Sequence, residues 1–250
     1  LELPITDYHE AWQLQIAIVQ AKNRGILKAD VILSLEHASV YTLGRRGGIE
    51  NLTVSKSFLE KSNIPVVSVE RGGNITYHGP GQLVVYPILD LNRAKLGITD
   101  LVSRMEDIMI RTAEDFGVSA GRNPKNRGIW VGNHKLGSIG IAVRKGISFH
   151  GFALNVNPSL THFEWINPCG LTDIGVTSLE KELGDEPSMD HVRKALTHHM
   201  KKLFHLNLEG ITKKKLATLL SVNPCVEASP LSESNKQAYV EKQTAKTPVA

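Results

Sequence analysis

The sequence predicts an α+β fold: a mixed, largely antiparallel sheet flanked by helices. Three observations carry this. Apolar residues recur at helical spacing in a few long segments, and short apolar runs of strand length lie between them. A hairpin signal, Gly132-Asn133, joins two of those runs. The regular strand–helix–strand alternation that a doubly wound parallel sheet needs is missing.

Residues 9–23 carry Ala11, Trp12, Leu14, Ile16, Ala17, Ile18 and Val19, a helix with a broad apolar face that ends near Gly25. Val31-Ile32-Leu33-Ser34-Leu35 reads as a buried strand, and 39–43 as another. Gly44-Arg45-Arg46-Gly47-Gly48 is a basic loop, either a plain connection or the charged edge of a site. Residues 65–69 and 83–88 are strands. Leu101, Met105, Ile108, Met109, Thr112 and Phe116 define a helix over 99–116, stopped by Gly117. Residues 123–128 form a polar loop with Pro124. The strands 128–131 and 135–143 flank the hairpin turn, and a third, 147–156, follows the turn Lys145-Gly146. Gly137, Gly140 and Gly151 interrupt this block, which marks a bulge or a ligand passing close to the backbone. Residues 157–170 are irregular. Val192, Leu196, Met200 and Leu203 give a helix over 188–206, and 213–222 is a last short one. From 223 onward the chain is polar and aperiodic, so the expectation is one catalytic-size domain over 1–222 and a disordered tail over 223–250.

Composition narrows the class. The chain has 250 residues, 41% of them hydrophobic and 22% charged, as in soluble globular proteins. No apolar run approaches the ~20 residues of a membrane span. The opening Leu1-Glu2-Leu3-Pro4 does not read as a secretory signal, and it lacks an initiator Met, which leaves room for a targeting segment upstream. A net charge of +4 suits an acidic partner without requiring nucleic acid, and Lys213-Lys214-Lys215 reads as a solvated helix face. Two cysteines do not make a disulfide framework, and a reducing cytoplasm is the simpler expectation. There is no phosphate-binding loop, dinucleotide fingerprint, zinc spacing or nucleophile elbow.

Two stretches hold the chemistry that remains. The first, 71–82, reads Arg71-Gly72-Gly73-Asn74-Ile75-Thr76-Tyr77-His78-Gly79-Pro80-Gly81-Gln82 between two apolar runs. Its glycines allow close approach to the main chain, and Arg71, Tyr77 and His78 offer a cationic fork, an aromatic hydroxyl and a titratable ring. It is built to line a pocket, or it is a glycine-rich hairpin with incidental polar residues; composition leaves both open. The second is Asn167-Pro168-Cys169-Gly170, which sets a thiol in a turn. Useful reactivity there needs a neighbouring cation or base. Cys225 shares the Asn-Pro-Cys context, a warning against reading the tripeptide alone. Lys135, taken alone, reads as an exposed hairpin residue.

Taken together, Arg71-Gly72-Gly73-x-x-Thr76-x-His78-Gly79-Pro80-Gly81-Gln82, Gly132-x-x-Lys135-x-Gly137-x-Ile139-Gly140, His150-Gly151 and Pro168-Cys169-Gly170 resemble the octanoyltransferases of lipoate biosynthesis. The resemblance covers about 41–179 and, more loosely, 1–210. One departure is Ala38-Ser39 after His37, where the family often has two prolines. The resemblance implies the lipoate and biotin protein ligase fold. It also implies transfer of an octanoyl group from octanoyl-acyl carrier protein to a lysine of lipoyl domains, those of 2-oxoacid dehydrogenases and the glycine cleavage H protein, with no cofactor, nucleic acid or membrane. It places the acyl-thioester nucleophile at Cys169 and a catalytic lysine at Lys135. Substrate binding falls on Arg71, Gly72, Gly73, Asn74, Ile75, Thr76, Tyr77 and His78, on Ser138, Ile139 and Gly140, and on Gly151, Phe152 and Ala153. His78 and His150 receive no proton-transfer role, and Arg45, Arg46 and Arg71 would suit an acidic carrier. The rival readings are an ATP-dependent lipoate protein ligase, which has a longer glycine run where Asn74 stands here, and a carrier-domain binding module without turnover.

Overall fold

The computed structural model describes residues 1–124, 126–167 and 175–221. The chain divides into Leu1–Leu220 and Ser221–Ala250, and of the second unit only Ser221 is described. The expected tail over 223–250 therefore lies outside the described residues. In chain order the elements are α1 (Tyr8–Asn23), β1 (Val31–Leu35), β2 (Val40–Leu43), α2 (Lys56–Lys61), β3 (Val66–Ser68), β4 (Thr76–His78), β5 (Gln82–Ile88), α3 (Leu91–Ala94) and α4 (Ile98–Asp115). They continue with β6 (Gly121–Asn123), β7 (Asn126–Val131), β8 (His134–Arg144), β9 (Ile147–Asn155), α5 (Thr161–Glu164), β10 (Gly175–Val176), α6 (Leu179–Leu183), α7 (Met189–Phe204) and α8 (Lys213–Ser221).

The main sheet runs β1-β5-β9-β8-β7-β6, antiparallel throughout, with β10 added parallel to the start of β8. A smaller sheet, β3-β2-β4, pairs β2 parallel to β3 and antiparallel to β4. This is the expected α+β architecture, with the two sheets joined by the glycine-rich stretch. Strand β5 is buried along its whole length, as its continuous apolar run predicts. Pro87 sits in it without a lost bond because pairing with β9 ends at Val85↔Phe152, before the proline is reached. Beyond that point the Ser148 hydroxyl donates to the Pro87 carbonyl at 2.8 Å and accepts from Leu89 N at 3.0 Å, replacing the ladder.

Helices cover both faces of the main sheet. On one, α4 and α7 bury Leu101, Met105, Ile108, Met109, Leu196 and Met200 against Leu83, Val85, Phe152 and Leu154. On the other, α1 packs Ile18 and Val19 over Leu33, Leu35, Tyr86 and Phe149. Asp7 caps α1 by accepting from His9 N and Glu10 N, which fixes where the helix starts. A third cluster, with Tyr41, Ile75, Tyr77 and Phe163, underlies the small sheet.

Several expectations need correction. The runs 65–69 and 83–88 are not two arms of one hairpin: they enter different sheets, and the linker contributes β4 of its own. The polar loop expected over 123–128 instead contains the end of β6 and the start of β7, and the irregular stretch after 157 contains α5. Helices α2, α3 and α6 are too short for periodicity to reveal, yet each begins at a side-chain cap, Ser55, Asp90 and Ser178 respectively.

Met109 is fully buried, and a Cβ at Gly137 would lie 2.7 Å from its sulfur, so the helix packs directly onto the glycine. Met109→Ala is expected to lower unfolding stability by about 2–5 kcal/mol, read by urea denaturation. A loss below about 1 kcal/mol would mean that this contact is not part of the close-packed core.

Candidate active site

A cavity of about 320 Å³ lies between the β8–β9 pair and the glycine-rich stretch that crosses it. Gly72 N donates to Ile141 O at 2.9 Å, pinning the crossing chain to β8. Arg71 through Thr76, His78, Ser138 through Gly140 and Gly151 through Ala153 all line the cavity, as does Lys135. Residues 71–76 and 78 of the glycine-rich stretch thus line this cavity, while 79–82 do not.

Tyr77 is the exception. Alternation along β4 sends Thr76 and His78 to the cavity and Tyr77 to the opposite side. There its ring stacks on His162 at 4.6 Å and meets the edge of Phe163, and its hydroxyl pairs with Ser39 at 2.9 Å. It belongs to the core beneath the small sheet, not to the cavity. Arg71, expected with Arg45 and Arg46 to suit an acidic carrier, is buried instead. Its guanidinium donates to Thr42 O (2.6 Å), Thr42 Oγ1 (2.7 and 3.1 Å) and Gly72 O (3.0 Å). Of the three arginines, Arg45 and Arg46 are exposed, and Arg46 reaches the cavity rim.

The strand glycines admit protein rather than ligand. A Cβ at Gly140 would come within 2.9 Å of Arg71 Cδ, and one at Gly151 within 2.1 Å of Val85 O. Gly137 faces Met109, beside a register shift between β7 and β8. Gly72, on the crossing stretch, does leave room: a Cβ there would meet nothing nearer than Ile141 O at 3.6 Å.

Lys135 is only 8% exposed, against its expectation as a surface hairpin residue. Its ammonium donates to Asn126 Oδ1 at 3.2 Å and stands 5.0 Å from the centre of the Trp130 ring. Backbone pairing fixes the strand on both sides: Lys135 opposes Trp130 on β7 and Val176 on β10, and Thr177 N donates to Lys135 O at 3.0 Å. Gly128 makes space for the side chain, since a Cβ there would lie 3.0 Å from Lys135 Cε. The other expected catalytic residue, Cys169, lies outside the described residues. The chain next described after it is Gly175, paired with His134.

The far part of the cavity is polar. Tyr8, Tyr86, His78 and His150 line it, and Tyr8 and Tyr86 carry no sequence signal because each sits at an ordinary helical or strand position. Burial drives the pKa of His37 down to about 4 and that of His78 down to about 3, so both rings are neutral. His37 donates from Nδ1 to Thr6 O (3.0 Å) and accepts at Nε2 from the Tyr86 hydroxyl (2.6 Å), while His78 Nδ1 meets Gln82 Oε1 at 2.6 Å. His150 is also lowered by burial, although Glu70 opposes the shift. Its Nε2 is 3.6 Å from Glu70 Oε2, an electrostatic contact longer than a hydrogen bond. Glu70 is held below its ordinary value by His150, against desolvation, and it also accepts from Trp12 Nε1 and Arg144.

No group of three or more His, Cys, Asp or Glu side chains among the described residues could hold a metal. No described helix is long and apolar enough to cross a membrane.

Two outcomes follow from this geometry. Histidines buried in neutral form bind fewer protons than in the unfolded chain, where they titrate near 6.5. Stability is therefore complete above that pH and falls as the pH drops from 6.5 toward the folded values, with Glu70 adding to the loss in stronger acid. The melting temperature is expected to be level above about pH 7 and to decline steadily from about pH 6.5 to about 4.5; a rise over that range would contradict neutral burial. Gly128, at φ +114°, cannot carry a side chain, because its Cβ would also lie 2.3 Å from Gly137 O. Gly128→Ala is expected to cost about 1–3 kcal/mol or more in strain, whereas Gly121→Ala, with open space around it, serves as the neutral control. Equal melting temperatures for the two variants would remove Gly128 as a spacer for Lys135.

The sequence matches the family profile described as the lipoyl protein ligase A/B catalytic domain over residues 7–201. It is 50% identical over 206 residues to an octanoyltransferase of Desulfotalea psychrophila, covering 82% of this chain and 92% of that one. It is 47% identical over 195 residues to an octanoyltransferase of Caldicellulosiruptor bescii, covering 77% and 86%. Among solved structures, the fold is similar to a bi-partite lipoate protein ligase from Thermoplasma acidophilum, with a TM-score of 0.66, 20% identity and 88% of each chain covered. It is also similar to LipL1 of P. falciparum in complex with lipoate, with a TM-score of 0.65, 13% identity and coverage of 88% and 70%. Those two likenesses concern the fold. With the family profile and the relatives taken together, the chain belongs to the lipoyl protein ligase A/B catalytic-domain family, among the octanoyltransferases.

Proposed function

We propose that the protein transfers an octanoyl group from the thioester of an acyl carrier protein to the ε-amine of a lysine on a lipoyl domain, through a thioester on Cys169. The observation that carries this reading is the buried ammonium of Lys135 at one end of a cavity whose middle is lined by Ile139, Gly140, Gly151, Phe152 and Ala153. An eight-carbon chain fits apolar walls of that kind, and a cation at the end of such a slot stands where a carbonyl and a thiol would meet.

In the first half-reaction the Cys169 sulfur attacks the octanoyl carbonyl carbon. The C–S bond to the carrier's thiol breaks, and that thiol leaves with a proton supplied through Lys135. In the second, the acceptor lysine's amine attacks the acyl-cysteine, the C–N bond forms, the Cys169 thiolate departs, and the amine's proton passes to Lys135. A nearby ammonium favours the Cys169 thiolate as attacker in the first half-reaction and as leaving group in the second, and Asn126, which accepts from Lys135, orients it. Backbone N–H groups of the glycine-rich lining supply donors for the tetrahedral oxyanion. Exchange between two thioesters is nearly isoenergetic and the final amide lies downhill, so the chemistry needs no ATP. The exposed Arg45 and Arg46 beside the rim suit an acidic donor carrier, in keeping with the net charge of +4.

The decisive measurement is intact-protein mass after mixing with octanoyl-acyl carrier protein in the absence of ATP. The wild type is expected to gain one octanoyl group and to lose it on addition of apo lipoyl domain, while Cys169→Ala gains none. Lys135→Met is expected to acylate roughly 100-fold more slowly or worse, the usual scale for removing a proton-transfer group. Acylation of Cys169→Ala would move the nucleophile elsewhere. ATP-dependent lysine modification without an acyl-enzyme would favour the ligase reading instead.

A further inference from the structure

The cavity is longer than an octanoyl group, and its two ends differ in chemistry. Along β8, the distance from Lys135 to Ile141 is a little under about 20 Å at roughly 3.3 Å per residue. The seven carbon–carbon bonds of an extended octanoyl chain cover only about 9 Å. Acylated near Lys135, such a chain ends between Ser138 and Gly140, short of Ile141 and its pairing partner His150. Just beyond lie four buried polar atoms without a hydrogen-bond partner among the described residues: the Tyr8 hydroxyl, Gln15 Nε2, and both ring nitrogens of His150. Tyr8 is 3% exposed and His150 1%, and both line the cavity. Gln15 is tied to the same point, accepting from His150 N at 2.8 Å. Buried groups of this kind are nearly always paired, and in a cavity the partner is water.

We propose that this polar end sets the upper limit on acyl chain length, with Tyr8 as a specificity-determining residue. The inference rests on the octanoyl-transfer reading and names what that site rejects. An octanoyl chain leaves the end wall wetted. A chain four carbons longer reaches it, displaces the water and leaves the Tyr8 hydroxyl and its neighbours unpaired. Stranding even one such group corresponds to roughly a tenfold penalty or more. Tyr8 stays un-ionised there, because its ring is packed against His37 at 5.0 Å and His78 at 6.1 Å, away from bulk water.

The test is kcat/KM for octanoyl, decanoyl, dodecanoyl and tetradecanoyl thioesters of the carrier, with wild type and Tyr8→Phe. In the wild type the value is expected to fall at least roughly tenfold between octanoyl and dodecanoyl. Tyr8→Phe, which removes only the oxygen, is expected to narrow that ratio about fivefold. A flat wild-type profile, or the same octanoyl-to-dodecanoyl ratio in both proteins, overturns the proposal while leaving octanoyl transfer intact. If octanoyl itself is not transferred, the functional reading has failed. Calorimetric affinities for free octanoate and dodecanoate then decide the cavity question without turnover, equal affinity counting against the polar end. The same pair of acids on the wild type decides it if Tyr8→Phe does not fold.

Discussion

A buried cation ties the stretch that crosses the cavity to the small sheet. The Arg71 guanidinium reaches from the crossing stretch to the Thr42 carbonyl and hydroxyl on β2, and back to the Gly72 carbonyl. Its planar fork can satisfy these acceptors together, which a lysine's point charge could not. Taking a full charge out of water is tolerable only when it is bonded on several sides. The surrounding sequence yields to that demand. A Cβ at Gly44 would lie 2.9 Å from Arg71 Nη1, and one at Gly140 would lie 2.9 Å from Arg71 Cδ. A Cβ at Gly44 would also lie 2.4 Å from Gly73 O, and one at Gly140 3.1 Å from Gly72 O, so both glycines answer to the close passage of the anchored backbone as well as to its arginine. The cavity is the space left where the stretch Arg71 anchors passes over β8.

With the frame fixed, the cavity separates its charges. Lys135 stands at one end between an amide oxygen and an aromatic face. At the other end the titratable rings are held neutral by burial, and Glu70, the carboxylate among them, is engaged by Trp12 and Arg144 outside the slot. The apolar middle keeps the two apart. An acyl carbonyl placed beside Lys135 therefore meets a cation, while the chain's tail faces neutral rings and Arg71, whose guanidinium is already taken up by Thr42 and the Gly72 carbonyl.

Much of this is legible in the sequence because it rests on local rules. The helical spacing of Leu101, Met105, Ile108 and Met109 finds α4, and Gly132-Asn133 finds the β7–β8 turn. The motifs mark residues 71–78 and Lys135, and all of these except Tyr77 line one cavity. What escapes depends on contacts distant in sequence. The three-residue strand β4 turns Tyr77 away, and a strand that short leaves no alternation to read. Gly140 and Gly151 look like room for a ligand because sequence does not reveal that Arg71 and the Val85 carbonyl fill that room. Tyr8 enters the site only because α1 packs across the sheet, and nothing in its neighbours announces it.

The inward turn of Lys135 shows how little backbone irregularity decides the chemistry. Trp130 opposes Lys135 and Ile129 opposes Gly137, so Leu136 is an extra residue in β8 with no partner of its own on β7. In a regular strand Lys135 would share a face with Gly137, which looks onto Met109 and the helical layer. The inserted residue shifts the alternation by one and puts the lysine on the face of Ser138 and Gly140, which line the cavity. Leu136 fills the hydrophobic core that a lysine could not enter without an uncompensated charge. The parallel pairing of β10 with His134 and Lys135 then braces the strand at the irregularity, where β9 no longer accompanies it. One bulged leucine thus converts a surface hairpin lysine into a buried ammonium, and the glycine at 128 completes the change by leaving its methylene chain a path.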